Sequence, residues 1–338
     1  MQTINGSFGH DNLVKKMPRK LRYQEGCDFD EWKGRVRDKF EELVGIPNIK
    51  SNACAENYCI EEQKEFETYT RIRFVFESEK DEFVPCYLLI PKTGKDKYPV
   101  AITLQGHSTG FHNSVGEIKF AQDVSYQPRG ALALQSVENG FAALAIEQRE
   151  MGERRSVWAD GLSAHKCSYD SMRALHLGRT IIGERLWDVS RAIDVLPHFE
   201  KLDLGNIIIT GNSGGGTASY YALCYDERIK AAAPSCAVCT FEDSILSILH
   251  CTCNYIPNMG EWFEMQDLAC LATPRKLSII AGKEDDIFPL DGVKKCFDGI
   301  KEIYQAVNAE ANARLVVTPK AHWWCEDIVW EEIFKNLE

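Results

Sequence analysis

Three residue types in one chain order could together cleave an acyl bond: a serine in a glycine-rich turn, an acid, and a histidine, each at the end of an apolar run. Ser213 lies in Gly211-Asn212-Ser213-Gly214-Gly215, after Ile207-Ile208-Ile209-Thr210 and before a predicted helix over 216–224. A short strand turning sharply into a helix exposes one serine Oγ, and glycines on either side let strand and helix approach it closely. The amides that open the helix then face a developing oxyanion. Serine is a weak nucleophile unless a base lies within hydrogen-bond reach, and that base needs a third group to fix its tautomer. His322, four residues beyond a predicted strand at 314–318, is the candidate base. Asp285 and Asp286, after a predicted strand at 277–282, compete for the acid. The plainer alternative is an ordinary turn at Ser213 and a loop histidine packed between Ala321, Trp323 and Trp324.

Other elements must hold these residues in place. Phe29, Trp32, Val36, Phe40 and Leu43 recur at helical spacing among charged neighbours, and Gly45-Ile46-Pro47 ends that helix. Residues 68–78 alternate polar and apolar side chains and precede a second strand at 83–90, as in an antiparallel pair. The run 99–104 is uniformly apolar, as in a strand covered on both faces. It ends in Gln105-Gly106-His107-Ser108-Thr109-Gly110, a loop able to place a second oxyanion N–H, from Gly106 or His107, beside that of Gly214. His107 is also an alternative base, although it stands on the wrong side of the chain order. The aperiodic stretch 111–130 reads as an inserted loop near the site, followed by a helix over 131–138 and a strand at 141–146.

That strand exits into the charge-dense segment 147–155, where Arg149 either orients a substrate oxygen or, the preferred reading, holds the loop through neighbouring carboxylates. Residues 158–171, with His165 and Cys167, read as loop. In the helix beyond, Ile182, Leu186, Val189, Ile193 and Leu196 form a stripe, while Glu184, Arg185, Asp188 and Arg191 are expected to face away. The segment 236–272 is too apolar for a surface loop and reads as a cap over the pocket or as an interface between copies; its Trp262, with Phe263 and Met265, is expected near the acyl group, and Gln105 is a further expected substrate contact.

Composition bounds the alternatives. The chain has 338 residues and a formal net charge of −11, which disfavours a polyanion partner, and no basic patch with stacking aromatics stands out. No leader-like N-terminus and no apolar run long enough to cross a bilayer is evident, so a cytoplasmic protein with no membrane partner is expected. Thirteen cysteines without a secreted-scaffold spacing read as buried thiols. The cluster Cys236-x-x-Cys239 with His250-Cys251-x-Cys253 carries a subordinate reading as a zinc or redox site.

Gly211-Asn212-Ser213-Gly214-Gly215, Gln105-Gly106-His107, Gly282-x-x-Asp285-x-x-Phe288-Pro289 and Ala321-His322 together resemble the α/β-hydrolases of the acetyl xylan esterase and cephalosporin-C deacetylase type, close to the dienelactone hydrolases. The resemblance implies an α/β-hydrolase fold over 68–338, with a mostly parallel sheet covered by helices on both faces; residues 1–67, from their own pattern, are expected as an extension packed on that core and 236–272 as an inserted cap. The resemblance also carries the acid to Asp285, with Asp243, after the predicted strand at 229–233, as the outside candidate because some lipases of this fold place the acid there. It implies a Ser213–His322–Asp285 esterase that removes a small acyl group, acetyl included, from a sugar or other polar alcohol, with no metal and no organic cofactor. The chain departs from the family at Asn212, where glutamine is frequent, and at 147–152, which weakens the substrate inference more than the fold. A serine peptidase or amidase of this fold, and a silent hydrolase-fold binding protein, are the competing functions.

Overall fold

The computed structural model describes residues 8–156 and 167–337, so the expected loop at His165 lies outside the described residues. Nine strands form one sheet: β1 (Tyr58–Glu65), β2 (Tyr69–Glu79), β3 (Glu82–Pro91), β4 (Tyr98–Leu104), β5 (Ala142–Ile146), β6 (Leu202–Asn212), β7 (Ile229–Ser235), β8 (Lys276–Gly282) and β9 (Ala313–Thr318). Their order is β1-β2-β3-β5-β4-β6-β7-β8-β9. The pairs from β1 to β3, and β3 with β5, are antiparallel, whereas every pair from β5 across to β9 is parallel. The parallel strands therefore all release their chains at one edge, where an open α/β sheet binds its ligands.

The α-helices are α1 (Phe8–Val14), α2 (Phe29–Val44), α3 (Ile46–Lys50), α4 (Leu132–Glu138), α5 (Ser168–His176), α6 (Ile181–Val195), α7 (Gly214–Tyr225), α8 (Met259–Trp262), α9 (Leu290–Gln305) and α10 (Glu326–Leu337). Alternation along the strands sends their side chains to the two faces of the sheet. Val100, Ile102, Ile207 and Ile209 belong to the core that contains Phe40 of α2, Leu186 of α6, Tyr221 of α7 and Ile300 of α9. Ala101 and Ile208 face the other way, into a core with Leu132 of α4 and Trp330 and Ile333 of α10. Helices thus cover both faces of a mostly parallel sheet, and α1 to α3 precede it in the chain.

The expected α2 stripe is buried at Trp32, Val36, Phe40 and Val44. Asp28 caps its first turn, accepting from the Glu31 amide at 3.1 Å, and Gly45 at φ 84° ends it. Its end is clipped to α6: Thr180 Oγ1 donates to Val44 O at 3.0 Å and accepts from Gly183 N at 3.0 Å. A Cβ on Gly183 would stand 2.0 Å from Val44 O, so glycine is required for that approach.

Two local expectations are corrected, and one strand has no counterpart among the expected elements. Tyr58–Glu65, with no apolar alternation, forms the edge strand β1 and pairs with β2. Residues 168–171, expected as loop, begin α5. Glu184, Arg185 and Asp188 of α6 do not face solvent but are buried. Their partners come from loops that a helical wheel cannot include: Arg149 Nε donates to Asp188 Oδ2 at 3.0 Å, Arg154 Nη1 to the same oxygen at 2.6 Å, and Arg179 Nε lies 2.8 Å from Glu184 Oε1. Burial opposes ionisation of Asp188, but Arg149 and Arg154 hold its carboxyl down to about 2.

Phe40 is fully buried and stacks on Tyr221 with ring centroids 5.8 Å apart, joining the N-terminal helices to α7. Phe40→Ala is expected to destabilise the fold by about 3–5 kcal/mol, read as a lower urea midpoint with an unchanged slope. A loss below about 1 kcal/mol would show that α2 is not part of the cooperative core.

Candidate active site

Ser213 stands between β6 and α7 with φ 57° and ψ −123°, a backbone state that costs a non-glycine residue about 1–3 kcal/mol. Neighbouring bonds hold it there: Ser213 N donates to Ser235 O at 2.9 Å, and Thr217 N to Ser213 O at 2.8 Å. The turn also needs its glycines. A Cβ on Gly211 would lie 2.3 Å from Leu104 O, and one on Gly215 would lie 1.9 Å from the same oxygen. The strand, turn and helix expected from the sequence are all present, with the helix starting two residues earlier, at Gly214.

His322, beyond β9, and Asp285, beyond β8, meet through His322 Nδ1 and Asp285 Oδ2 at 2.9 Å. Asp285 Oδ1 accepts from the amides of Ile287 at 2.9 Å and Phe288 at 3.1 Å. Burial opposes ionisation of Asp285, but the bonds from His322 and these amides hold its carboxyl below the usual range. The Phe288 ring stacks on the imidazole at 6.0 Å. Cys236 lies in the same cluster, and burial, with Asp285 nearby, pushes its thiol up to about 12, so it stays protonated. The other two acids are elsewhere. Asp286 is exposed. Asp243 accepts from Thr240 Oγ1 at 2.6 Å and Lys295 Nζ at 3.0 Å.

The loop after β4 closes over the turn. A Cβ on Gly106 would be 2.9 Å from Asn212 O and 3.2 Å from Ser213 Cβ, so a glycine lets this backbone reach the serine. The His107 ring lies against Gly214, where a Cβ would stand 2.9 Å from its Cε1. Beneath the loop, fully buried Glu147 accepts from Gln105 Nε2 at 2.7 Å, Phe111 N at 3.2 Å and Glu153 N at 3.1 Å.

Ser213, His322, Gln105, Gly106 and His107 line one cavity of about 200 Å³, shared with Asn113, Tyr126, Arg129 and Trp324. Asn113, Tyr126 and Arg129 were not singled out from the sequence, where the only signal was the aperiodic insertion 111–130 beside the loop; Trp324 was named only as a neighbour of His322. Arg129 spreads its guanidinium 3.6 Å from the Trp323 ring centre. Gln105 lines the cavity; its Nε2 is committed to Glu147, while its Oε1 is buried with no partner among the described residues. Arg149 and Trp262 are not among the residues lining this cavity. Arg149 holds the ion network through Glu79, Glu184 and Asp188. The Trp262 ring packs under Lys39 and Lys20, with Nζ atoms 4.4 and 5.0 Å from its centre, while Phe263 and Met265 are buried. The segment carrying them packs into the body: Tyr220 of α7 donates to Met265 O at 2.9 Å.

A second histidine–aspartate pair, missed in the sequence, joins His112 Nε2 to Asp123 Oδ2 at 2.9 Å. Asp123 also accepts from the amides of Lys119 at 2.8 Å and Phe120 at 2.7 Å, so this pair staples the insertion rather than facing a serine.

The match to known proteins covers the same architecture, with residues 11–324 fitting the model of the Abhydrolase family. The chain belongs to that family. YtaP of Bacillus subtilis (strain 168), a protein named as a hydrolase, is 23% identical over 293 residues, 86% of this chain and 93% of that one. Among solved structures, a Bacteroides fragilis NCTC 9343 protein described as an acetyl xylan esterase superposes with a TM-score of 0.82 at 15% identity, covering 99% of this chain and 95% of the other. A glucuronoyl esterase from Solibacter usitatus gives 0.68 at 12%, covering 94% and 96%. No helix among the described residues is long and apolar enough to cross a membrane.

Burial, against the lowering bonds from the Glu153 and Phe111 amides, pushes the Glu147 carboxyl up to about 8 from an ordinary 4.5. The folded protein then keeps a proton that the unfolded chain has released, so the stability this residue contributes is present at low pH and lost as pH rises through that window. Relative to Glu147→Gln, the wild-type urea midpoint is expected to fall between about pH 5 and pH 8. A gap between the two proteins that does not change with pH would show that Glu147 is ionised throughout.

Proposed function

We propose that this chain is a serine carboxylic ester hydrolase that removes a small acyl group, acetyl foremost, from a sugar or other small polar alcohol. The observation that carries the reading is the 2.9 Å His322–Asp285 bond opening on the same cavity as Ser213 at its strained turn. In this reading Ser213 Oγ attacks the ester carbonyl as His322 Nε2 takes its proton, and Asp285 holds Nδ1–H and stabilises the imidazolium. The Gly214 N–H and an N–H of the Gly106/His107 loop receive the oxyanion. His322 then protonates the leaving alcohol, and water resolves the acyl-enzyme by the reverse proton path.

The small cavity supports a short acyl group. Arg129, Asn113 and Tyr126 offer polar groups to an alcohol, and Arg129 Nε is buried with no partner among the described residues. The structural neighbours described as an acetyl xylan esterase and a glucuronoyl esterase support a carbohydrate ester as the substrate class. The protein is taken to act in the cytoplasm on a small molecule, without nucleic acid or membrane.

Ser213→Ala is expected to abolish labelling by a fluorophosphonate probe and to lower kcat by about 10⁶, and Asp285→Asn to lower it by about 10⁴ with the fold retained. A larger loss in Asp286→Asn or Asp243→Asn would move the acid elsewhere. Failure of the native chain to label would favour the silent binding protein.

Across acyl lengths on both nitrophenol and sugar alcohols, kcat/KM should fall steeply from acetyl and propionyl to octanoyl once a wall is met, because each methylene in an open apolar pocket changes binding by only about 1–3 kcal/mol. An octanoyl maximum with no cleavage of any acetylated sugar would refute the carbohydrate reading. Cleavage of aminoacyl arylamides in preference to acetyl esters would replace it with the amidase.

A further inference from the structure

The thiols that ester cleavage leaves unused converge behind the loop after β4. His107, Cys167 at the N-cap of α5, and Cys251 and Cys253 in the connection from β7 to β8 bring one imidazole nitrogen and three sulfurs within 4.8 Å of one another. Cys253 Sγ lies 3.2 Å from Cys251 Sγ and 3.3 Å from His107 Nε2. Ligands on a tetrahedron with zinc–sulfur bonds of about 2.3 Å stand about 3.7 Å apart, so small side-chain rotations bring this set onto such a shell. The partners differ from those suggested by sequence proximity. Cys236 Sγ points to Trp323 O at 3.7 Å and Cys239 Sγ to Pro289 O at 3.8 Å, so neither joins the pair at 251 and 253.

A second observation gives the sign of the charge. Arg185 is among the largest fully buried side chains. Its Nη1 donates to Cys253 Sγ at 3.7 Å and its Nη2 to Arg149 O at 2.9 Å, while its Nε has no partner. Among the described residues it forms no ion pair with a carboxylate. A guanidinium is always charged, and burying it without a negative partner is costly. Three thiolates and a neutral imidazole around a divalent ion carry one net negative charge, which Arg185 balances.

We propose that His107, Cys167, Cys251 and Cys253 bind one zinc ion. Three thiolates and an imidazole suit zinc, and four protein ligands make a closed structural site rather than a catalytic one. Binding releases the three thiol protons to solvent and moves no electrons. The ion joins three stretches that no strand pairing connects: the loop after β4, the start of α5, and the β7–β8 connection. Because the His107 ring rests on Gly214, the ion also fixes one wall beside Ser213. With its Nε2 on the metal, His107 cannot act as the base.

The test is elemental analysis of protein purified under reducing conditions without chelator or added metal, on wild type, Cys253→Ser, Cys251→Ser and Cys236→Ser. One zinc per chain is expected in wild type and Cys236→Ser, with background levels in the other two. Stripped wild-type protein, with thiols reduced, should take up one cobalt ion and develop the sulfur-to-cobalt charge-transfer band and ligand-field bands of a tetrahedral thiolate site. That measurement stands even if a serine variant fails to fold. Zinc should also shield Cys167, Cys251 and Cys253 from alkylation. Absence of zinc together with no cobalt uptake, retention of zinc in folded Cys253→Ser, or a disulfide among these cysteines in the freshly reduced protein would each overturn the proposal.

Discussion

Leu104 O is the constraint around which the site is built. The carbonyl ending β4 comes so near the β6–α7 turn that a side chain at Gly211 or Gly215 would collide with it, at 2.3 and 1.9 Å. That approach puts the chain leaving β4 directly over Ser213 and keeps the serine in a backbone state it would not adopt in isolation. The adjacent parallel ladder supplies the rigidity, since Ile102, Thr103 and Leu104 pair in register with Ile209, Thr210 and Gly211. The strain at one residue is thus carried by main-chain bonds on both sides of it, and the turn cannot relax without breaking the centre of the sheet.

Around this fixed turn, the other loops are held by buried polar and ionic bonds rather than by apolar packing. Glu147 gathers the β4 loop from below through hydrogen bonds to neutral groups, and Arg149 gathers Glu79 of β2 and Glu184 and Asp188 of α6 through charge. A buried ionic hub of this kind adds less net stability than its short distances suggest, because each group gives up its hydration. Its effect is geometric: removing one member leaves the others uncompensated, so few alternative arrangements of the β5 exit are available. The histidine–aspartate staple at His112 and Asp123 does the same for the insertion that walls the cavity.

How much of this could be read from the sequence follows from how far each signal reaches. The parallel strands were legible because both faces are buried, which leaves uninterrupted runs such as Ile207-Ile208-Ile209. Ser213 and His322 stood out because each follows such a run, whereas only the family resemblance separated Asp285 from Asp286; the structure brings His322 and Asp285 into contact. The exposed Glu184, Arg185 and Asp188 expected from the helical stripe are buried because their partners, Arg149, Arg154, Arg179 and Cys253, come from other segments of the chain, which no window on one helix contains. Trp262 was misplaced for the converse reason: its apolar ring was assigned to a substrate, whereas two lysines from the N-terminal segment cover it. Asn113, Tyr126 and Arg129 had no period to betray them, since an irregular loop encodes its shape in contacts rather than in spacing.

The edge strand β1 was overlooked because it carries Glu61, Glu62, Lys64 and Glu65 where a strand usually shows β-branched residues. Those same charges give it a use. An outermost strand offers unpaired backbone groups to any other extended chain, and crowding charged side chains along it makes such docking wet. Each glutamate here has a basic partner, Glu61 with Arg73 at 2.7 Å, Glu62 with Lys64 at 2.8 Å and Glu65 with Lys92 at 2.7 Å, so the rim is a row of hydrated ion pairs. A second copy approaching rim to rim would have to strip water from those pairs before any backbone bond could form, and this end of the sheet resists fibril-like growth.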